Sequence, residues 1–263
     1  MRAYLALLSA RFRALLQYRS AALAGLGTQI FWGLIRSMIF TAFYQASSAP
    51  QPMTLGQTIS YVWLGQAMLL IIPWNLDRDV GRMVRTGDVA YELLRPVDLY
   101  WAWYVRAVAL RIAPVLLRCA PMFVAALLFF GLQPPASFAS AIAFLGSISA
   151  AVLLSAAITM LLNVSLFWTV SGEGAVRLLP SAVMLLSGMI IPLPLLPDWA
   201  RHIVAWLPFR GLMDVPFRLY LGHAPPAQAL RLIAGQLAWT AALVIGGRAL
   251  IRRGLRRAVI QGG

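Results

Sequence analysis

Apolar runs long enough to cross a bilayer recur along the chain and are separated by short charged segments. A membrane-spanning helix needs about 20 mainly apolar residues. Six segments meet this requirement: 21–44, 59–76, 105–131, 138–170, 176–191 and 229–249. Residues 1–20 have an apolar run before Arg11 and Arg13, the reverse of a secretory signal peptide. We predict an all-α membrane protein, with an interfacial helix at 1–20 and one six-span transmembrane domain at 21–263. For residues 1–20 an ordinary basic flank of the first span is the alternative.

The composition agrees with a lipid-embedded chain and explains its high net charge. The chain is 61% hydrophobic and 11% charged, whereas soluble domains carry about 25% charged residues. Its net charge of +14 comes entirely from arginine, because the sequence has no lysine. Strong basicity is often a sign of nucleic-acid binding. Here the arginines lie mostly between apolar runs, as the positive-inside rule requires, so no nucleic-acid partner is expected.

The distribution of arginine also predicts the orientation of the chain. With six spans and a cytoplasmic N-terminus, the cytoplasmic segments hold 16 of the 22 arginines. Both termini are therefore predicted to lie in the cytoplasm. The absence of lysine is typical of a GC-rich bacterial genome, so we expect a multi-pass protein of the bacterial inner membrane.

Several kinds of chemistry are excluded by the residues that the chain lacks. Without lysine it has neither a phosphate-binding P-loop nor a Schiff-base nucleophile. Cys119 is the single cysteine, and His202 and His223 lack the spacing of metal ligands. We therefore expect no catalytic residue, metal or cofactor in this chain.

One window, residues 75–101, concentrates charge of both signs. It contains four arginines and five of the eight acidic residues: Asp77, Asp79, Asp88, Glu92 and Asp98. A first helix is predicted after a cap at Asn75 or Asp77 and ends at Gly87, because glycine readily adopts the left-handed conformation. A second helix, capped by Asp88, ends before Pro96. The acids suggest a protein partner of complementary charge; the alternative is a solvated turn that pairs its own charges.

The predicted external segment, residues 192–227, is broken by prolines. A helix is predicted to start at Asp198, which follows Pro197, and to stop at Pro208. A second apolar piece follows, at 209–221, and is too short to span a bilayer. We predict two helices that dip into the outer leaflet; an interfacial amphipathic loop is the alternative.

A few polar residues lie within the predicted spans, where charge is costly. Arg36, Arg118 and Asn163 are candidates for lining a translocation path. The alternative is that Arg118, with Arg111 seven residues before it, reaches lipid phosphates by snorkelling. Asn163 would then only bond a neighbouring helix.

Three segments together resemble a known family. They are GDVAYELLRPV after the second predicted span, FWTVSGEG at the end of the fourth, and SGMIIPLPLLPDWARHIVAWLPFRGLMDVPFRLYLG before the last. In their order and spacing the chain resembles the permease subunits of type-2 ATP-binding-cassette (ABC) exporters. It looks most like the branch whose permeases are often encoded in pairs beside one ATPase gene.

The resemblance implies roles for two segments. The loop at 77–100 would be the coupling helix that sits in a cleft of the ATPase. Its implied contact residues are Asp79, Arg82, Arg85, Gly87, Asp88, Glu92 and Arg95. The segment at 192–227 would form the re-entrant external gate. Its implied gate residues are Pro192, Pro197, Trp199, Trp206 and Pro208.

The resemblance also implies partners. These are two copies of a cytoplasmic ABC ATPase, which would bind ATP and Mg²⁺, a second permease that is identical or paralogous, and membrane lipid. The chain itself would be a transport subunit and no enzyme. Two alternatives are an ATP-independent secondary transporter, which needs ionisable residues within its spans, and a membrane-embedded lipid-modifying enzyme. The best candidates for the latter are His202, Asp198 and Asp214.

Overall fold

The computed structural model describes residues 2–17, 19–74, 77–168 and 173–261, and all regular elements in these ranges are helical. The α-helices are α1 (Arg2–Leu16), α2 (Arg19–Ala46), α3 (Leu55–Ala67), α4 (Arg78–Thr86), α5 (Val89–Leu93), α6 (Leu99–Phe129), α7 (Phe138–Ser165), α8 (Glu173–Leu186), α9 (Asp198–Ala205), α10 (Asp214–Tyr220) and α11 (Ala229–Gln261). Short 3₁₀ turns lie at Leu69–Ile71, Leu193–Leu195, Pro208–Gly211 and Pro226–Gln228. The prediction of an all-α protein is confirmed.

Three of the described helices are long and apolar enough to cross a membrane. They are α6, α7 and the segment Pro226–Arg256, which contains most of α11. In contrast, α3 and α8 have 13 and 14 residues, fewer than the roughly 20 that a complete span needs. The membrane character is therefore confirmed, and the six-span layout stays a prediction.

Helix α7 lies at the centre of the bundle and packs against α6, α10 and α11. Its buried face is rich in small residues such as Ala151 and Ala157, which allow neighbouring helices to approach closely. Gln236 of α11 accepts a hydrogen bond from the Ser147 hydroxyl at 3.0 Å and donates to the Gly211 carbonyl at 2.6 Å. This buried polar contact holds α7, α11 and the external segment together.

Helices α2 and α3 pack through a glycine and a tryptophan. The Trp63 side chain of α3 is fully buried and stacks on Phe130, with ring centroids 4.5 Å apart. On its other side, Trp63 lies directly against Gly33 of α2, where no side chain intervenes. The absence of a Cβ at position 33 therefore sets the distance between these two helices.

The bundle has two distinct ends. At one end, the turn between α6 and α7 joins α10: the Ala136 amide donates to the Tyr220 carbonyl at 2.9 Å, and the Tyr220 hydroxyl donates to the Gln133 carbonyl at 2.9 Å. Helices α4 and α5 lie at the opposite end, beside α1 and the start of α6. Helix α10 is largely buried, so it packs into the bundle, and its position in the outer leaflet stays a prediction.

Replacing Gly33 with alanine should force α2 and α3 apart. An added Cβ would lie 2.5 Å from the Trp63 ring, and the buried, stacked ring has no space to retreat. We expect a loss of about 1–3 kcal/mol in the free energy of unfolding, the usual cost of overpacking. Thermal unfolding of the purified protein, followed by tryptophan fluorescence, measures this loss.

Gly27→Ala is the matched control in the same helix. A Cβ at position 27 meets no atom within 4 Å, and alanine is the better helix former. Its melting temperature should equal or exceed that of the wild type. Equal melting temperatures for the two variants would contradict the proposed Gly33–Trp63 contact.

Candidate functional site

The charged window, residues 75–101, folds into two short helices, α4 and α5. The residues that start and end α4 are its neighbours in sequence. The Asp77 carboxylate accepts a hydrogen bond from the Asp79 amide at 3.0 Å and so caps α4. Gly87 ends α4 with a φ of +80°, in the left-handed region. Of the two predicted caps, Asp77 is confirmed, and Asn75 lies outside the described residues. The predicted stop at Gly87 is also confirmed.

The prediction that Asp88 caps the second helix is wrong. Asp88 has helical backbone angles, φ −61° and ψ −9°, and its side chain makes no capping bond to α5. Its carboxylate instead accepts a hydrogen bond from the Thr86 hydroxyl at 2.6 Å. A capping residue normally has an extended backbone. Because Asp88 has a helical backbone, its carboxylate does not reach the amides of α5 and bonds Thr86 of α4.

Asp77 and Asp79 anchor α4 to two other helices. Arg11 of α1 lies 3.0 Å from Asp79. Arg106 of α6 lies 3.2 Å from Asp77 and 2.9 Å from Asp79. Only 2% of the Asp77 side chain is exposed, so this carboxylate depends on its arginine partners. We call Arg11, Asp77, Asp79, Arg82 and Arg106 the charged network.

The network keeps Asp79 ionised. Partial burial alone would raise the pKa of Asp79, but the positive charges of Arg11, Arg106 and Arg82 outweigh it and lower that pKa below its ordinary value. The lowered pKa favours the charged carboxylate at neutral pH. The link between α1, α4 and α6 is therefore an interaction between full charges.

Asn163 of α7 also contacts the start of α4, in addition to Arg11 of α1 and Arg106 of α6. Its side chain is fully buried, and its Oδ1 accepts a hydrogen bond from the Asp77 amide at 3.3 Å. The sequence suggested Asn163 as a path-lining residue or as a bond to a neighbouring helix. The structure places it in contact with the charged window, so α7 is also connected to α4.

Asp98 forms a second junction at the same end. Its carboxylate caps α6 by accepting from the Trp101 amide at 3.0 Å, and it lies 3.2 Å from Arg248 of α11. The Asp98 amide donates to the Tyr4 hydroxyl of α1 at 3.0 Å. Helices α1, α6 and α11 therefore meet beside the charged network.

The outward surface of the window is basic and apolar. Arg82, Arg85 and Arg95 are exposed, whereas Glu92 is largely covered and pairs with Arg95 at 3.2 Å. Between the arginines, α5 exposes 70% of Tyr91 and the residue after α5, Leu94, is 82% exposed. The sequence analysis missed these two residues, although large apolar residues in a charged loop are a readable signal for contact with a partner.

The remaining candidate path residues lie in separate contacts. Arg36 of α2 donates hydrogen bonds to the Met189 and Ile190 carbonyls, just after α8. Arg118 of α6 lies against Gly25 of α2. With Asn163 at the start of α4, the three predicted residues are at three different helix contacts.

Arg111 shows why snorkelling is the wrong interpretation for one of the intramembrane arginines. Only 7% of Arg111 is exposed. Its guanidinium donates to the Ser155 hydroxyl at 3.1 Å and to the Thr159 hydroxyl at 2.7 Å, both on α7. It therefore binds the neighbouring helix and does not reach a lipid phosphate.

The predicted gate residues lie at the opposite end of the bundle. Pro197 precedes α9 as predicted, and Trp199 and Trp206 expose most of their surface. Pro192 and Pro208 stand at the starts of two 3₁₀ turns. Among the described residues, no group of three or more His, Cys, Asp or Glu side chains is placed to hold a metal ion.

The geometry agrees with a comparison of the sequence with known families. Residues 30–262 match the model of a family described as ABC-2 family transporter protein. The chain belongs to the ABC-2 transporter family. The match includes α4, α5 and the three helices that are long enough to span a membrane. It confirms the resemblance to a type-2 ABC permease. No curated protein matches the chain.

As an ABC-2 family member, the chain is a membrane-embedded transport subunit, and the family implies association with an ABC ATPase. In this permease the charged network lies beside the coupling segment that the resemblance assigned to ATPase contact. Of the seven implied contact residues, five are exposed: Arg82, Arg85, Gly87, Asp88 and Arg95. Asp79 and Glu92 are instead engaged by arginines of the permease itself.

Arg106→Gln should destabilise the permease by about 1–3 kcal/mol, because Asp77 would stay buried without its nearest cation. Arg11 is the other cation near Asp77, at 3.7 Å. Arg82→Gln removes the same charge from a side chain that is 67% exposed, where an ion pair contributes about 0–1 kcal/mol. Melting temperatures of the two purified variants test this difference. If both variants melt at the wild-type temperature, Arg106 does not support α4.

Proposed function

We propose that the chain is the permease subunit of an ABC exporter, in which α4 and α5 dock onto a separate cytoplasmic ATPase. The observation that carries this proposal is the arrangement of charge around α4. Asp77 and Asp79 bind arginines of α1 and α6, and the outward surface presents arginines with Tyr91 and Leu94 beside the exposed Asp88. Such a basic and apolar surface fits a partner that offers acidic residues and an apolar pocket.

The inward contacts give α4 the means to transmit movement. Arg106 connects it to α6, Asn163 to α7 and Arg11 to α1. An ATP-driven displacement of α4 would act directly on α6 and α7, which are two of the helices long enough to span the membrane. We infer that this displacement shifts the spans between inward-facing and outward-facing states.

The arginines support a cytoplasmic position for α4 and α5. Their end of the bundle carries the arginines of α1, α4 and the last turns of α11, together with Arg95 after α5. The opposite end has four: Arg201, Arg210, Arg218 and Arg231. The positive-inside rule therefore favours cytoplasmic termini in a bacterial inner membrane. In this arrangement the six spans are α2, α3 with its following turn, α6, α7, α8 and α11.

The proposed complex contains two ATPase subunits, which bind ATP and Mg²⁺, and a second permease that is identical or paralogous. Helix α2 supports a further membrane partner, because it exposes large side chains that include Phe31, Trp32 and Met38. At the other end, the exposed Trp199 and Trp206 of the α9 region fit an external gate in contact with lipid.

Leu94→Asp tests docking to the ATPase. A carboxylate in a desolvated apolar contact costs about 1.4 kcal/mol or more, which corresponds to about tenfold weaker binding. We expect less ATPase to co-purify with the tagged variant permease and a parallel loss of transport in vesicles. The level of permease in the membrane should not change.

Leu230→Asp is the matched control, because Leu230 is 81% exposed at the opposite end of the bundle. It should retain ATPase binding, since a cytoplasmic subunit cannot reach that end. Normal ATPase binding and transport by Leu94→Asp would refute docking at α5.

Gly87→Val tests whether the angle between α4 and α5 matters for coupling. A Cβ at position 87 meets nothing within 4 Å, so any effect arises from the positive φ, which costs an L-residue about 1–2 kcal/mol. We expect reduced substrate-stimulated ATPase activity and export, with normal membrane insertion. Gly87→Asn should be close to wild type, because asparagine tolerates this conformation. Equal activity of the two variants would show that the turn has no coupling role.

A further inference from the structure

A cavity of about 430 Å³ lies at the end of the bundle opposite α4. It opens between α9, the 3₁₀ turn Pro208–Gly211, α10 and the turn that follows α10. The charged and titratable residues that line it are Arg201, His202, Arg210, Asp214, Arg218 and His223. The cavity is therefore built from three guanidinium groups, two imidazoles and one carboxylate.

The positive charge of this cavity is only partly neutralised. Arg201 contacts Asp198, and Arg218 lies 3.9 Å from Asp214, which is long for an ion pair. Asp214 is nearly fully buried and also accepts from the Tyr61 hydroxyl at 3.3 Å. Arg210 makes no hydrogen bond or close ion pair with any residue that the structure describes, and its charge acts on Asp214 from a longer distance. An excess of cationic donors thus faces the cavity.

Two of the lining residues each contain a buried nitrogen without a hydrogen-bond partner among the described residues. The Arg218 Nε and the His223 Nε2 are buried, and neither has a hydrogen-bond partner within the described part of the chain. Burial, together with the positive charge of Arg218, lowers the pKa of His223 below its ordinary value. At pH 7, His223 therefore contributes a hydrogen-bonding nitrogen and no full charge. Buried polar groups almost always have partners. Because water does not reach either atom, each side chain would have to rotate to meet an acceptor in the cavity.

We propose that this cavity binds a phosphate group carried on a larger organic molecule. Guanidinium groups pair with phosphate through two parallel hydrogen bonds, and here they approach from three different elements. A phosphate offers oxygens in several directions, whereas a carboxylate offers two in one plane. The cavity volume is within the range of about 300–1,000 Å³ that is usual for small-molecule sites, which is more than a free phosphate ion needs.

The phosphate can come from two sources. One is the headgroup of an anionic phospholipid in the adjoining leaflet, and the other is a soluble phosphate ester that reaches the cavity from the aqueous side. The site does not rest on ATPase coupling or on the direction of transport. If the proposed topology holds, the cavity faces the exterior.

Equilibrium binding to the full-length permease in lipid nanodiscs tests the proposal. In nanodiscs of phosphatidylcholine, radiolabelled glycerol 3-phosphate is the probe, and inorganic phosphate and glycerol are the competitors. In a second arm, native mass spectrometry counts the phosphatidylglycerol molecules retained after release from mixed nanodiscs. Arg210→Gln and His223→Gln are the test variants, because Arg210 has no hydrogen bond within the described residues to lose. Arg231→Gln, on the same end but outside this cavity, is the matched control.

We expect Arg210→Gln to weaken binding about tenfold or more, the usual effect of losing a hydrogen bond to a charged group. His223→Gln should weaken binding less, and Arg231→Gln should not change it. Phosphate should compete and glycerol should not. Saturable binding in the first arm identifies a soluble ester, and Arg210-dependent retention of phosphatidylglycerol identifies a lipid headgroup. The proposal is overturned if neither arm shows binding, or if Arg231→Gln reduces binding as much as Arg210→Gln. Melting temperatures of all variants exclude unfolding as the cause.

Discussion

A nearly inaccessible carboxylate at the start of α4 is the constraint on which this end of the permease depends. Asp77 is 2% exposed, and an ionised carboxylate at such a position is strongly unfavourable unless cations and hydrogen-bond donors surround it. Arg106 of α6 supplies a cation and the Asp79 amide supplies a donor. Because these partners belong to different elements, α4 cannot swing away from α6 without exposing an unbalanced charge. The cost of separating the charges therefore ties α4 to α6, a helix long enough to span a membrane.

The same constraint explains why so apolar a chain concentrates charges of both signs in one window. The acids and the arginines of residues 75–101 have different surroundings. Asp77 and Asp79 face inward and meet Arg106, whereas Arg82 and Arg85 face outward together with Leu94. A loop with arginine alone would satisfy the orientation rule, but it would have nothing to join it to the helices behind it. Asp77 and Asp79 provide that attachment, and arginines outnumber the exposed Asp88 at the outward surface of α4 and α5.

Sequence reasoning succeeded where the determinants are local and failed where they are distant. The stop at Gly87 was predictable because a left-handed turn needs glycine within its own few residues. The pairing of Asp77 with Arg106, 29 residues away, and with Asn163, 86 residues away, depends on how three helices pack. The burial of α10 by its neighbours was not predictable, because a short apolar run does not reveal whether protein or lipid covers it. The sequence therefore predicted the class, the elements and the family, while the contacts of the site required the structure.

The two ends of the permease use arginine in different ways, and this difference separates structural from ligand-binding roles. At the α4 end, Arg11, Arg106 and Arg248 each pair with a carboxylate of another element. These ion pairs neutralise the arginines and hold the helices together. At the opposite end, Arg201 and Arg218 pair within their own short helices, at spacings of three and four residues. Such local pairs do not join elements, and they leave guanidinium donors facing a cavity. A bound anion would balance the positive charge that these pairs leave at the cavity.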